Sequence, residues 1–118
     1  MLIGLHGLVH LLGTIVYWQL AEVDGFAFKT TVLNGLVDLG ARGIQTFGLL
    51  WLLPAVGFVA AALGLWTGWD SWVPMLMAST LVSLVLVGVD WQVAFAGAYV
   101  DVAILLAMVA RAAGWARF

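Results

Sequence analysis

The sequence predicts an all-α membrane protein. The expected architecture is an antiparallel four-transmembrane-helix bundle with a small extramembrane β-hairpin between helices 1 and 2. Three observations predict it. Apolar residues fill 65% of the 118 positions and charged residues 8%, where soluble domains hold roughly 45–50% and about 25%. Four apolar segments are each long enough to cross a hydrocarbon core about 30 Å thick at ~1.5 Å per helical residue. Between the first two segments lies an Asn-Gly pair flanked by apolar and β-branched runs. A water-soluble fold of this size cannot hide so much apolar surface, because a small domain buries only about 60–70% of what its chain exposes.

The spans fall at about residues 2–20, 44–66, 72–90 and 93–114, in a single domain of residues 1–118. The first lacks the basic flank and small-residue cleavage site of a secretory signal, and its apolar run is too long for one; it reads as a retained span. Pro54 lies inside the second span and should kink it, since proline removes a ladder hydrogen bond. Gly57, Ala61, Gly64 and Gly68 give that span a small-residue stripe for close helix contact. Pro74 sits in the first turn of the third span, where a missing N–H is harmless. The links "TGWDSW" and the corner around Trp91 and Gln92 are short and force antiparallel neighbours.

The long connection contains the hairpin, expected over about residues 26–40. Asn34-Gly35 suits a two-residue type I′ turn. That turn pairs Leu33 with Leu36, Val32 with Val37 and Thr31 with Asp38. One face then carries Phe28, Thr30, Val32, Val37 and Leu39 and should rest on the bundle end or the lipid interface, since an isolated hairpin is marginal. An irregular or interfacial helical loop is the alternative. Trp18, Trp66, Trp69, Trp72, Trp91 and Trp115 fall near span ends, where amphipathic rings favour the headgroup level, and Trp51 lies inside.

Charge sets the orientation and excludes some functions. Lys29 and Arg42 in the long loop balance Arg111 and Arg117 at the C-terminal side, and the N-terminal amine tips the balance. The expected placement is multi-pass in a bacterial inner membrane, with both termini cytoplasmic and the hairpin outside. The net charge of −2 and the lack of a basic tract argue against nucleic acid. Without cysteine there is no disulfide framework or thiolate chemistry. No serine lies near a histidine in sequence as a nucleophile pair, and no phosphate loop is present. Enzymatic readings are accordingly poor, and no catalytic residue is assigned.

Ionisable residues at membrane depth point to function. His6, His10, Gly13, Thr14 and Tyr17 fall within a wedge of about 100° on the first helix. Ser79, Ser83 and Asp90 fall within about 40° on the third. Gly97, Asp101, Leu105 and Met108 share a face of the fourth. Counting depth places His10 level with Asp101 and makes it the carboxyl's partner, with His6 lining the approach. A buried polar core of His6, His10, Thr14, Tyr17 and Asp101 follows, with Ser79 or Ser83 near it. A peripheral cluster gathers Asp90, Gln92, Arg42 and Lys29.

Three readings of the core stay open. It could be a hydrogen-bonded pair that fixes helix packing, because a mid-membrane carboxyl must be protonated or paired. It could be a proton-linked path for a transported solute. It could be a divalent-metal site of His6, His10 and Asp101, since histidines at i and i+4 can share a metal; no cofactor is otherwise expected.

Four stretches carry a resemblance: "HGLVHLLGTIVYW" (6–18), "YWQLAEVDGFAFKTT" (17–31), "FGLLWLLPAVGFV" (47–59) and "VDWQVAFAGAYVDVAIL" (89–105). With these the chain resembles a widespread group of small four-span bacterial membrane proteins without established function, often labelled hypothetical membrane protein or permease. The resemblance implies a fold and a location, and carries over no functional residue. The expected function is that of a small integral membrane protein with a His/Asp polar core, acting as an accessory or binding component. Its partners are the lipid bilayer and a homo-oligomer or larger membrane complex. A proton-coupled transporter or channel subunit is the main alternative.

Overall fold

The computed structural model of the chain describes residues 2–115; Arg117, used in the charge balance, lies outside them. Helix α1 runs Leu2–Tyr17, α2 Gly40–Leu50, α3 Leu52–Thr67, α4 Trp72–Val89 and α5 Trp91–Ala112. Strands β1 (Thr31–Val32) and β2 (Val37–Asp38) lie between α1 and α2. Among the described residues three segments are long and apolar enough to cross a membrane: Gly40–Thr67, which joins α2 and α3, then α4 and α5. Helix α1 is apolar but shorter, at 16 residues.

Local chemistry sets the ends. Expected to reach residue 20, α1 stops at Tyr17 because Gln19 turns left-handed at φ 52°. The Leu20 amide then reaches the Ile15 carbonyl (2.9 Å) and the Gln19 amide the Val16 carbonyl (3.0 Å). This is a Schellman ending without its usual glycine, so no residue announced it. The second helix starts at Gly40, four residues before the apolar run. It breaks at Trp51, between α2 and α3, because Pro54 offers no N–H to the Leu50 carbonyl and its ring crowds that oxygen. Gly68 (φ 77°) ends α3 and does not serve the small-residue stripe. The α4–α5 corner is Asp90 alone, not Trp91 and Gln92: its carbonyl accepts from the Val93 and Ala94 amides, so α5 begins at Trp91.

The hairpin has the expected register, Thr31 opposite Asp38 and Val32 opposite Val37. Asn34 and Gly35 have the positive φ (57° and 85°) of a type I′ turn, but Leu33 is left-handed too (φ 54°) and the ladder ends at Val32–Val37, without the expected Leu33–Leu36 pair. Its strands are only two residues each, not the whole of 26–40. The apolar face is split. The Leu33 amide bonds the Val89 carbonyl at 2.8 Å, which holds β1 on the bundle and buries Val32, whereas Phe28 and Val37 stay exposed.

Asp38 leads into α2: its Oδ1 accepts from the Gly40 amide (2.9 Å). That bond, then the Thr30 hydroxyl, holds its carboxyl below its ordinary value of 3.8. A depressed folded value means the tie is present above pH 3.8 and is lost as pH falls through the lower, folded value. Amide exchange at Gly40 is expected to be slower in wild type than in Asp38→Ala at neutral pH, the ratio collapsing toward one in acid.

Close contacts give the helix order and direction. A Cβ at Gly48 would meet Tyr17, one at Gly13 Trp51, one at Gly7 Phe58 and one at Gly4 Ala62; α1 therefore runs antiparallel to α2–α3. Gly57 against Ser79 and Gly64 against Trp72 set α3 antiparallel to α4. Gly97 against Val87 and Arg111 over the Trp72 ring do the same for α4 and α5. Helix α1 packs along α3, α3 along α4 and α4 along α5, while the α1–α5 side stays nearly unpacked. Two apolar layers result. Val16, Tyr17, Val32, Ile44, Phe47, Trp51, Leu86 and Val87 form one at the hairpin end, and Phe58, Ala61, Trp72, Leu76 and Met108 form the other.

Candidate functional site: a closed hydrogen-bond network beside a lateral crevice

Between the two apolar layers lies a polar one. Four side chains from three helices meet there: His6 and His10 of α1, Ser83 of α4 and Asp101 of α5. Asp101 and Ser83 have 0% exposure. His6 Nε2 lies 2.8 Å from Asp101 Oδ1. Asp101 Oδ2 lies 2.5 Å from Ser83 Oγ, and Ser83 Oγ lies 2.7 Å from His10 Nε2. His10 Nδ1 lies 2.7 Å from the His6 carbonyl. The path thus returns to the residue where it began. Phe58 backs both imidazoles, with ring centroids 4.8 and 5.4 Å away, and Trp51 backs His10 at 5.5 Å.

Donor and acceptor rules constrain the protons. A carbonyl only accepts, so His10 Nδ1 carries a proton and donates. Ser83 has one hydroxyl proton for two short contacts. If it donates to His10, Asp101 must be protonated on Oδ2 and donate to Ser83, and every group is neutral. If it donates to Asp101, the carboxylate is ionised and His10 carries a second proton on Nε2. Both arrangements hold the same protons and have zero net charge, which apolar surroundings favour. They differ only by two proton shifts along Asp101–Ser83–His10. In both, His6 donates through Nε2 to Asp101, and its Nδ1 keeps a lone pair.

That Nδ1 has no hydrogen-bond partner among the described residues. The only buried side-chain polar atom without a partner among them is Trp51 Nε1, so His6 Nδ1 reaches accessible space although His6 is only 8% exposed. His6 lines a crevice of about 290 Å³ between α1 and α5. Its walls include Val9, Leu12, Val93, Ala94, Gly97 and Val100, with Phe26 toward the hairpin end and His6 and His10 as its titratable lining. Asp101 does not line it.

The chain matches no protein-family model, no curated protein and no solved structure. The site's chemistry must therefore be read from its own geometry.

The sequence-expected residues divide differently from the depth count. Asp101 is held by His6, not His10, because the α1–α5 contact falls nearer the start of α1; His10 reaches the carboxyl only through Ser83. Ser83, one of several hydroxyls near the core in sequence, is the bridge, whereas Ser79 bonds its own helix at the Met75 carbonyl. Thr14 bonds the Gly48 carbonyl (2.6 Å) and ties α1 to α2. Tyr17 belongs to the peripheral cluster: its hydroxyl bonds Asp90. Lys29 Nζ completes that cluster, 2.5 Å from Asp90 Oδ1, 3.1 Å from the Tyr17 hydroxyl and 2.8 Å from the Thr31 carbonyl. Arg42 and Gln92 are exposed and form no bond to Asp90 among the described residues. The crevice itself had one sequence signal, the small residues Ala94, Ala96 and Gly97 on one stretch of α5.

His6, His10 and Asp101 are brought together, but as partners of one another. Both His10 nitrogens are engaged, and a divalent metal would have to displace those bonds. Among the described residues no group of three His, Cys, Asp or Glu side chains is arranged to hold a metal ion.

The peripheral cluster fastens the hairpin to the helix ends. Asp90 is 1% exposed and Lys29 20%. Breaking a fully buried pair costs about 3–5 kcal/mol, and partial solvation of Lys29 reduces this. Lys29→Met is expected to lose about 1–2 kcal/mol in detergent unfolding, with faster amide exchange at Leu33. Unchanged exchange there would show that the pair does not hold the hairpin.

Proposed function

We propose that the chain is a small integral membrane protein of four transmembrane helices that binds a lipid-soluble molecule in the α1–α5 crevice. It acts as an accessory or binding component, alone, as a homo-oligomer or within a larger membrane complex. The observation that carries this reading is the crevice opening sideways onto His6, whose other nitrogen is fixed by a sealed carboxyl. A core that served packing alone would have no reason to leave the α1–α5 side open. In lipid, that side is reached from the acyl chains.

Several features support the membrane placement. Trp18 and Trp91 lie at the hairpin end, and Trp66, Trp69, Trp72 and Trp115 at the other, as an aromatic belt would. The 16 residues of α1 reach about 24 Å, and local thinning or flanking residues can supply the rest. The resemblance to four-span bacterial membrane proteins accords with an inner-membrane location. We place both termini in the cytoplasm and the hairpin outside. The chain has no cysteine, so a single Leu36→Cys at the exposed turn gives a clean test. It is expected to react with a membrane-impermeant maleimide in intact spheroplasts; reaction only after lysis would invert the topology.

The binding role has its own test. Gly97→Leu places a side chain in the crevice. Organic extracts of purified wild type are expected to contain a lipid-soluble compound that is depleted in folded Gly97→Leu protein. Identical extracts would sink the reading. Proton-coupled transport is the second reading, favoured by the two interchangeable proton arrangements; it requires a path that reaches Asp101, which the crevice does not touch.

A further inference from the structure

We propose that the crevice selects an apolar molecule whose head is a hydroxyl, donated to His6 Nδ1. This rests on the crevice being a binding site and adds the chemistry of its ligand. The head group follows from the proton count. Three short contacts around Asp101 and Ser83 each need one hydrogen, and with zero net charge only the two arrangements above supply them. In both, His6 Nδ1 is an acceptor. A carbonyl or ether head would set lone pair against lone pair, whereas an O–H satisfies the one open valence of the network. A head that donates to Nδ1 also leaves the network neutral, so binding adds no charge to a low-dielectric site.

The body follows from the lining. Apart from His6, His10 and Trp51, whose Nε1 is buried without a partner among the described residues, the crevice wall is apolar: Val9 and Leu12 from α1, Val93 and Val100 from α5, and Phe26. The mouth lies along the α1–α5 side, where the bundle faces lipid on this reading, so the molecule arrives from the bilayer and is itself lipid-soluble. The volume of about 290 Å³ sits at the small end of ligand sites, which suits a single short chain. Gly97 keeps the head position open: a Cβ there would lie 4.0 Å from His6 Cε1, between the two ring nitrogens, and 3.2 Å from Val87.

The test uses full-length protein with ¹⁵N-labelled histidine in phosphatidylcholine nanodiscs, with n-octanol and octyl methyl ether as probes. Nuclear Overhauser contacts from the probe chain to the Val87 methyls, which line the crevice and are only 2% exposed, report filling of the crevice whatever the head. The His6 Nδ1 resonance reports the head. Octanol is expected to give the methyl contacts and to move Nδ1 toward its protonated value, leaving His10 Nδ1 in place. The ether is expected to bind at least tenfold more weakly and to leave Nδ1 unmoved. Methyl contacts from both probes without an octanol-specific shift would overturn the hydroxyl assignment and leave the crevice as a binding site. Methyl contacts from neither would overturn the binding site as well. A His6 Nδ1 that already carries a proton in the ligand-free protein at neutral pH would overturn the acceptor argument directly.

Discussion

Asp101→Ala is expected to destabilise the protein by about 2–4 kcal/mol in reversible detergent unfolding. Two interhelical hydrogen bonds go, at roughly 0.6 kcal/mol each on average in membranes and about 1.7 at most. Ser83 and His6 are then left buried with unmet bonding capacity, which adds about 1–3 kcal/mol. Asp101 and Ser83 have no exposure, so water does not readily replace what is lost between them. Asp101→Asn should behave quite differently. In the all-neutral arrangement Asp101 accepts from His6 through one oxygen and donates to Ser83 through the other. An amide of nearly the same shape does both, with Ser83 still donating to His10. Asp101→Asn is therefore expected to stay within about 1 kcal/mol of wild type. A loss as large as that of Asp101→Ala would mean that the carboxylate charge, and not the bonding pattern, holds the core.

Gly7→Val is expected to cost about 3 kcal/mol or more and to separate α1 from α3. Overpacking a close contact usually costs about 1–3 kcal/mol, and three facts place this one at the upper end. A Cβ at Gly7 would lie 2.9 Å from the Ala55 carbonyl oxygen, 3.2 Å from the Val59 amide and 2.8 Å from Phe58 Cβ. Two of those atoms are backbone and cannot rotate away. The residue also sits between His6 and His10, so a helix pushed off α3 carries both imidazoles with it. The readout is twofold: a lowered unfolding midpoint and altered ring-nitrogen spectra of both histidines. Gly57→Ala makes the contrast, because its closest neighbours are side-chain atoms of Ser79: a hydroxyl that can turn at the loss of its bond to the Met75 carbonyl, and a Cβ at 3.0 Å; a smaller loss is expected there.

The fold was legible where periodicity or turn chemistry speaks locally. Apolar length marked the helices, Asn34-Gly35 the hairpin register, Pro54 the break near Trp51, and Gly57 and Gly64 the α3–α4 contact. The end of α1 was not legible, because the left-handed residue is Gln19 and no glycine stands there. Nor was the α4–α5 corner placed correctly, since Asp90 alone makes it, its carbonyl accepting from the Val93 and Ala94 amides, and no glycine or proline stands at the position. At the site, the face of each helix could be read from 100° steps. The pairing could not. Histidines four residues apart differ in depth by only about 6 Å, less than a small shift or tilt of α1 can move, and so sequence counting favoured His10 where His6 holds Asp101. The crevice depends on α1 and α5 failing to pack, a tertiary outcome with no local signature beyond the small residues around Gly97.

His6, Asp101, Ser83 and His10 form one hydrogen-bonded unit. A double-mutant cycle between His6→Ala and Ser83→Ala tests it most directly, because no bond joins those two side chains and Asp101 connects them. A coupling of at least about 0.5 kcal/mol is expected in the wild-type background, falling below about 0.3 kcal/mol when the cycle is repeated in Asp101→Ala. Additive losses in the wild-type background, or a coupling that survives the removal of Asp101, would contradict it.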